Sequence, residues 1–214
     1  RFSFPDVCSY RVDLACVAFE PYQCPLPSYI GHTISSATYM DFIKKVIRND
    51  DAIMLAGGDS GAQMVYEHVM NWNFNATTMA VRLYMTYAAS PVNVQCVTVH
   101  YPGAQIASAS SGNAHDEYIR SEPCPADTPY QGADCHVWRV QSPPFFSDAT
   151  MWTLAGKDVM VRVEDNLHRF TADFRSWCAG AACVPAGAMD IDAEPGTDGS
   201  CPLIPPPTSR GGAR

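Results

Sequence analysis

The stretch that decides the fold is residues 77–101, which read TTMAVRLYMTYAASPVNVQCVTVHY. From Met79 to Tyr87 apolar side chains alternate with smaller or polar ones, which is the two-residue period of a β-strand. Val92–Tyr101 is rich in β-branched and aromatic residues and carries apolar side chains on both faces, as an interior strand does. Pro91 belongs to the connection, because proline has no N–H to donate to a sheet. We therefore predict an antiparallel hairpin.

Several shorter stretches outside this hairpin also have strand patterns, namely residues 10–19, 51–56, 136–140 and 159–163. Residues 38–48 instead predict a helix, since Tyr39, Ile43 and Val46 fall on one helical face. Residues 63–72 and 166–177 fit either a strand or a helix. The predicted fold class is mainly β, an antiparallel sandwich-like α+β domain with one or two helices and disulfide-stapled loops.

The chain divides into one globular domain and a tail. Residues 1–185 read as a single disulfide-stapled domain, and residues 186–214 as an acidic and then proline-rich tail. Within the domain, residues 103–134 predict a long loop that is rich in serine, glycine and proline. Because Cys124 and Cys135 bracket its end, we expect them to hold this loop by a disulfide.

Length and charge exclude several functional classes. The 214 residues suffice for one sizeable core, and the net charge is −8 without a basic patch, so no nucleic-acid partner is expected. No apolar run approaches the roughly 18 residues that a membrane-spanning helix needs, so no membrane insertion is expected. The chain begins with Arg1 rather than methionine, and we therefore expect a mature or excised fragment.

Nine cysteines without a CxxC pair predict disulfides and an extracellular or cell-surface location. The pool of candidates consists of Cys8, Cys16, Cys24, Cys96, Cys124, Cys135, Cys178, Cys183 and Cys201. Since the number is odd, two interpretations stay open. One thiol, such as Cys96 within the hairpin, is buried and inert, or one cysteine forms a bond outside this chain.

Asn75-Ala76-Thr77 is the one Asn-x-Ser/Thr sequon of the chain with x other than proline. Such a sequon accepts an N-linked glycan when the protein passes through the secretory pathway. The cysteine pattern indicates that pathway, so Asn75 is the predicted glycosylation site.

A serine on a glycine-rich turn after a buried strand is a frequent position for a nucleophile. Here Gly58-Asp59-Ser60 follows such a strand, and Asp165-Asn166-Leu167-His168 lies far downstream. These two blocks resemble the first and last motifs of the SGNH (GDSL-type) hydrolases. The resemblance implies an esterase of alternating β-strands and helices. In it Ser60 attacks, His168 accepts the proton and Asp165 orients the histidine.

The sequence also bears on metal binding and on carbohydrate binding. None of the histidine spacings is that of a strong metal site, so neither a metal nor a cofactor is expected. Exposed aromatic side chains would form a platform for carbohydrate, and the candidates are Trp72, Trp138, Trp152 and Trp177.

The leading functional hypothesis is a secreted or cell-surface glycoprotein domain with a structural or adhesive role, as a matrix, coat or filament subunit. Its expected partners are other extracellular glycoproteins or copies of itself, with carbohydrate as a further candidate. The alternatives are a carbohydrate-binding module and the SGNH-like esterase. A non-enzymatic role is favoured over the esterase, because the esterase depends on two short motifs.

Overall fold

The computed structural model describes residues 5–18, 31–55, 63–87, 90–106, 117–142, 146–191 and 201–204. These residues form twelve strands and one 3₁₀ turn, Ala181–Cys183. The strands are β1 Val7–Cys16, β2 Thr33–Asp41, β3 Val46–Leu55, β4 Gln63–Asn75, β5 Thr78–Tyr87, β6 Ser90–Pro102, β7 Glu117–Pro123, β8 Asp134–Ser142, β9 Phe146–Leu154, β10 Met160–Asp165, β11 Phe170–Ala179 and β12 Leu203–Ile204.

All twelve strands belong to one hydrogen-bonded sheet in the order β12-β6-β5-β4-β3-β2-β1-β11-β10-β9-β8-β7. Strands β1–β6 follow one another as a first meander, and β7–β11 follow one another as a second meander. The two meanders join where β1 pairs with β11. Every pairing is antiparallel except that of β12 with β6. The mainly β prediction is confirmed, whereas the predicted helices are reduced to the single 3₁₀ turn within the described residues.

The predicted central hairpin is present as β5 and β6. Met79 lies opposite Tyr101 and Leu83 lies opposite Val97, in antiparallel register. The strand predicted to be interior, β6, lies one position from the edge of the sheet. There β12 pairs with it over Thr98 and Val99, both of which are buried.

The helix predicted over residues 38–48 is wrong, because the chain there turns between β2 and β3. Asp41 Oδ1 accepts hydrogen bonds from the backbone N–H groups of Ile43 (3.1 Å) and Lys44 (2.8 Å). Lys45 adopts a left-handed conformation with φ of 58°. The turn-forming aspartate thus outweighs the helical spacing of the apolar residues, two of which, Tyr39 and Val46, lie in strands.

The largest hydrophobic core lies along the junction of the two meanders. Phe170, Val163, Ile53 and Ile34 are almost fully buried in it and belong to β11, β10, β3 and β2. Since successive side chains of a strand point to opposite faces, each of these strands contributes alternate positions to this core. This core supports the strands on both sides of the junction.

Part of the predicted tail is attached to the sheet. Met189 is buried against Val46 and Met70, and the Arg48 guanidinium donates to the carbonyl oxygen of Ala188 at 3.2 Å. Further on, Cys201 forms a disulfide with Cys96 of β6. These contacts join the described residues of the predicted tail to β3, β4 and β6 of the sheet.

Three disulfides lie within the described residues, joining Cys96 to Cys201, Cys124 to Cys135 and Cys178 to Cys183. Cys16 is also disulfide-bonded, and Cys24 lies outside the described residues. The predicted staple between Cys124 and Cys135 is confirmed, and the suggestion that Cys96 is the inert thiol is wrong.

The free cysteine of the described residues is Cys8, whose exposed fraction is 0%. Burial raises the pKa of this thiol to about 12, so it stays protonated at neutral pH. Cys8 is therefore inert in the folded domain.

Candidate functional site

A cleft opens on one face of the second meander, beside its edge strand β7. Tyr118 of β7 lies directly opposite Trp138 of β8, and His136 of β8 lies opposite Thr153 of β9. Directly opposed residues of antiparallel strands have Cβ atoms about 4.5–5.5 Å apart. The strand register therefore brings these four side chains together on one face.

The cleft has a volume of about 300 Å³, and the connection between β9 and β10 forms its other wall through Gly156, Lys157 and Asp158. Gly156 has a φ of 73°, a conformation that favours glycine, and the Lys157 N–H donates to the carbonyl oxygen of Leu154 at 3.1 Å. This tight turn holds Lys157 and Asp158 at the rim.

The aromatic rings of the cleft contact one another edge to face. The Tyr118 ring lies 5.4 Å from the Trp138 ring at an interplanar angle of 73°, and 5.7 Å from the His136 ring at 78°. Edge-to-face contact is a favoured arrangement of aromatic rings. Tyr118 nevertheless remains 50% exposed, so its ring is both held in place and accessible.

Hydrogen bonds fix the polar groups around these rings. The Trp138 indole Nε1 donates to Thr153 Oγ1 at 2.9 Å. Ser121 Oγ lies 2.9 Å from the Tyr118 hydroxyl and 2.9 Å from His136 Nδ1, which makes a chain of three hydrogen-bonding side chains. The cleft therefore presents ordered donors and acceptors next to an aromatic surface.

Contacts of Glu122 and a disulfide hold β7 in place. Glu122 accepts hydrogen bonds from Arg120 Nε at 2.7 Å and from the Trp152 indole at 2.8 Å. These two bonds, that of Arg120 first, keep the pKa of Glu122 below its usual range. The disulfide between Cys124 and Cys135 fixes the end of the same strand. The edge of the cleft is thus anchored to β9 through Trp152 and to β8 through Cys135.

The structure does not bring together the side chains of Asp165 and His168. Asp165 is 1% exposed, and both of its carboxylate oxygens accept hydrogen bonds from the Arg169 guanidinium at 2.8 Å. The Arg169 hydrogen bonds hold the pKa of Asp165 below its usual range. His168 is exposed, and its Nδ1 lies 3.2 Å from Glu164 Oε1 instead. Ser60 lies outside the described residues.

The surrounding fold also differs from the one that the SGNH resemblance implies. That family alternates β-strands with helices, whereas Asp165 and His168 lie at the turn between the antiparallel strands β10 and β11. Within the turn, the Asp165 carboxylate also accepts the N–H groups of Leu167 and Arg169, both at 3.1 Å. In this structure the Asp-x-x-His block is a turn that Asp165 stabilises.

Asn75 lies exposed at the tip of the hairpin between β4 and β5. Its side-chain oxygen accepts hydrogen bonds from the Thr77 N–H at 2.9 Å and from the Thr77 hydroxyl at 3.2 Å. This is an Asx turn, in which an asparagine oxygen contacts the backbone two residues further on. The predicted acceptor asparagine and the threonine of its sequon are therefore in contact at an accessible site.

The four tryptophans predicted as a carbohydrate platform have different environments. Trp138 lines the cleft, whereas the Trp72 ring lies beneath the Arg82 guanidinium at 5.2 Å. Trp152 donates to Glu122, and Trp177 stacks on Tyr10 with ring centroids 5.4 Å apart. The four do not form one surface, and Trp138 is the one that belongs to the cleft.

No cluster of three or more histidine, cysteine or acidic side chains suited to a metal ion occurs within the described residues. No helix among them is long and apolar enough to cross a membrane.

The sequence does not predict that Tyr118 and Ser121 belong to a cleft, because the pattern of residues 103–134 is that of a loop. Strand β7 lies within this range, but six of its seven residues are exposed, so it lacks the apolar alternation that marks a strand. The adjacent Tyr118 and Ile119, both favourable in strands, followed closely by Pro123, were the available signal.

A scan against known protein families and a search of curated proteins give no match to this chain.

Proposed function

We propose that this chain is a secreted or cell-surface glycoprotein domain with a structural or adhesive role in a matrix, coat or filament. The observation that carries the proposal is the set of disulfides, above all the bond from Cys96 to Cys201, which spans 105 residues. Such bonds persist in oxidising, extracellular compartments and are rare in reducing ones. The bond also keeps the C-terminal segment beside β6.

The Asn75 hairpin supports the glycoprotein part of this proposal. The sequon lies at an exposed tip, and Asn75 is already hydrogen-bonded to Thr77. A glycan at this position projects from the end of the first meander and leaves the core undisturbed. The cleft lies on the second meander and remains available for contacts.

The burial of Cys8 bears on how copies of the domain assemble. A thiol with no exposed surface and a raised pKa is a poor partner for a bond between chains. We therefore propose non-covalent contacts with other extracellular glycoproteins or with copies of the same chain. Reducing agents then weaken assembly only in so far as they destabilise the fold.

The glycan is tested by expressing the chain with a secretory leader in eukaryotic cells. Secreted wild-type protein is expected to lose mass on treatment with peptide N-glycosidase, and Thr77→Ala is expected to show no such loss. Thr78→Ala serves as the matched control, because it changes the neighbouring threonine and leaves the sequon intact. Retention of the unglycosylated chain in the cell interior would argue against the proposal.

The adhesive role is tested with beads that carry the purified glycoprotein. Coated beads are expected to aggregate with one another or to adhere to surfaces coated with extracellular matrix glycoproteins. Beads coated with reduced and alkylated protein are the control and are expected to stay dispersed. Equal dispersion of both kinds of bead on every surface would contradict an adhesive role.

A further inference from the structure

We propose that the cleft lined by Tyr118, His136, Trp138 and the β9–β10 turn is a binding site for a neutral saccharide. The inference names a ligand class for the adhesive role proposed above and rests on that role for its biological setting. The argument depends on three properties of the cleft: its exposed ring, its pattern of polar groups and its size.

The exposed ring is Tyr118, which is accessible while being held by Trp138 and His136. Sugar rings present faces of C–H groups that pack against aromatic side chains, and a tyrosine offers an apolar surface with a polar tip. Since neighbouring rings already restrict Tyr118, binding immobilises little additional side-chain freedom. These features favour a flat, partly apolar ligand such as a pyranose.

The polar groups match a ligand with many hydroxyls. Lys157 and Asp158 stand side by side on the wall of the cleft, so donors and acceptors of opposite charge are adjacent there. The hydroxyls of Tyr118 and Ser121 continue this pattern towards His136. A sugar hydroxyl both donates and accepts hydrogen bonds, whereas a phosphate or a metal cation meets one repulsive charge. The balanced charges therefore favour a neutral saccharide.

The size of the cleft favours a short segment of a saccharide. Its volume of about 300 Å³ lies at the lower end of ligand pockets. The cleft is also open to solvent beside the edge strand β7. One or two sugar rings fill such a space while the rest of a longer chain continues outside it.

A peptide strand added to β7 is the competing occupant, and the edge is poorly suited to it. Strand β7 carries Glu117, Arg120 and Glu122 and ends at Pro123, and its register with β8 shifts between Tyr118 and Arg120. Charged side chains, proline and irregular register are the features by which proteins protect an edge strand from pairing. The cleft is therefore assigned to a saccharide and not to a peptide.

The test uses the Asn75→Gln protein, which has no acceptor for its own N-linked glycan. It is titrated with soluble hexasaccharides of glucose, xylose, mannose, galactose and N-acetylglucosamine, and binding is followed by calorimetry and by tryptophan fluorescence. At least one hexasaccharide is expected to bind, and Tyr118→Ala is expected to weaken it by about tenfold or more. Lys157→Ala, on the exposed turn, is expected to weaken it less.

Tyr66→Ala is the matched control, because Tyr66 is 51% exposed but lies on β4 of the other meander. It is expected to leave saccharide binding unchanged. The proposal is overturned if none of the hexasaccharides binds at about 10 mM, or if Tyr118→Ala and Tyr66→Ala bind equally well. Because the protein used lacks Asn75, a failure here is distinguishable from a failure of glycosylation.

Discussion

The two meanders place a carboxylate in opposite environments, the buried Asp165 in the second meander and the half-buried Asp51 in the first. In the second meander the Asp165 carboxylate is paired with Arg169, which keeps its pKa below the usual range. In the first meander Asp51 lies directly opposite Glu67, and its Oδ1 has no hydrogen-bond partner among the described residues. Burial raises the pKa of Asp51 to about 6. The charges of Glu67 and Asp50 also raise this pKa, whereas a hydrogen bond with Ser36 lowers it.

The second meander also contains further ion pairs besides that of Asp165. Arg139 with Asp148 and Arg162 with Asp173 extend the ion pairs of the second meander, at 2.8 Å and 2.6 Å. The buried Asp165 carboxylate keeps its charge because Arg169 compensates it, whereas in the first meander the side chains of Asp51 and Glu67 belong to directly opposed residues. The proposed cleft lies on the second meander.

Removal of a disulfide is expected to have the largest effect on the unfolding free energy. The bond from Cys96 to Cys201 spans 105 residues, and that from Cys178 to Cys183 spans five. By loop-closure entropy the double variant Cys96→Ser/Cys201→Ser is expected to lose about 4–5 kcal/mol of unfolding free energy, and Cys178→Ser/Cys183→Ser about 2 kcal/mol. Urea denaturation measures both. Equal losses would show that the long staple does not hold the first meander together.

Removal of the charge of Asp165 is expected to have the second largest effect on stability. Asp165→Asn is expected to lower the unfolding free energy by about 2–4 kcal/mol at neutral pH, because it removes the negative charge from the buried two-point contact with the Arg169 guanidinium. Asp148→Asn, in an ion pair at the surface, is the control and is expected to change stability little.

The stabilisation by the Asp165 carboxylate is expected to depend on pH. The pKa of Asp165 is lower in the folded than in the unfolded protein. Its stabilisation is therefore present above the unfolded value and is lost as pH falls through the folded value. The difference between wild type and Asp165→Asn should shrink in acid. A constant difference across the acid range would contradict the assignment.

Replacement of Asp51 is expected to have the smallest effect on the unfolding free energy, and to raise it instead of lowering it. The pKa of Asp51 rises from 3.8 in the unfolded chain to about 6 in the fold. Wild-type stability should therefore fall as pH rises through this interval, because the folded state binds the proton more tightly. Asp51→Asn is expected to gain about 1–2 kcal/mol at pH 7 and nothing at the acid end.

Asp50 is the comparison residue for Asp51: it precedes Asp51 on β3, forms an ion pair with Arg48 at 2.9 Å, and its charge is the smallest of the causes that raise the pKa of Asp51. Asp50→Asn is expected to leave stability unchanged or slightly lower. Denaturation of both variants between pH 4 and pH 7 decides the point. A loss of stability for Asp51→Asn at pH 7 would show that its carboxylate is compensated after all.

Local sequence patterns predicted the parts of the fold that depend on neighbours along the chain. The hairpin of β5 and β6 and the staple from Cys124 to Cys135 needed only alternation, a proline and a short cysteine spacing. The pattern failed at residues 38–48, where the turn contacts of Asp41 overrode a helical spacing. It failed again at β7, which shows no apolar alternation.

The functional features were less predictable because they depend on strand register. Asp51 and Glu67 are separated by sixteen positions in the sequence, yet they are directly opposed on β3 and β4. Tyr118 and Trp138 are likewise separated by twenty positions and meet only through the pairing of β7 with β8. No local pattern shows which strands become neighbours, so neither the acidic pair nor the cleft could be read from the sequence.

The most direct test of the central claim, a disulfide-stabilised extracellular glycoprotein domain, is peptide mapping by mass spectrometry of the native protein, alkylated without reduction. The expected result is that Cys96 is linked to Cys201, Cys124 to Cys135 and Cys178 to Cys183, that Cys16 is also disulfide-bonded, and that Asn75 carries a glycan. Cys8 is expected to react with the alkylating agent only after denaturation. Nine alkylated cysteines in the native protein and an unmodified Asn75 would contradict the claim.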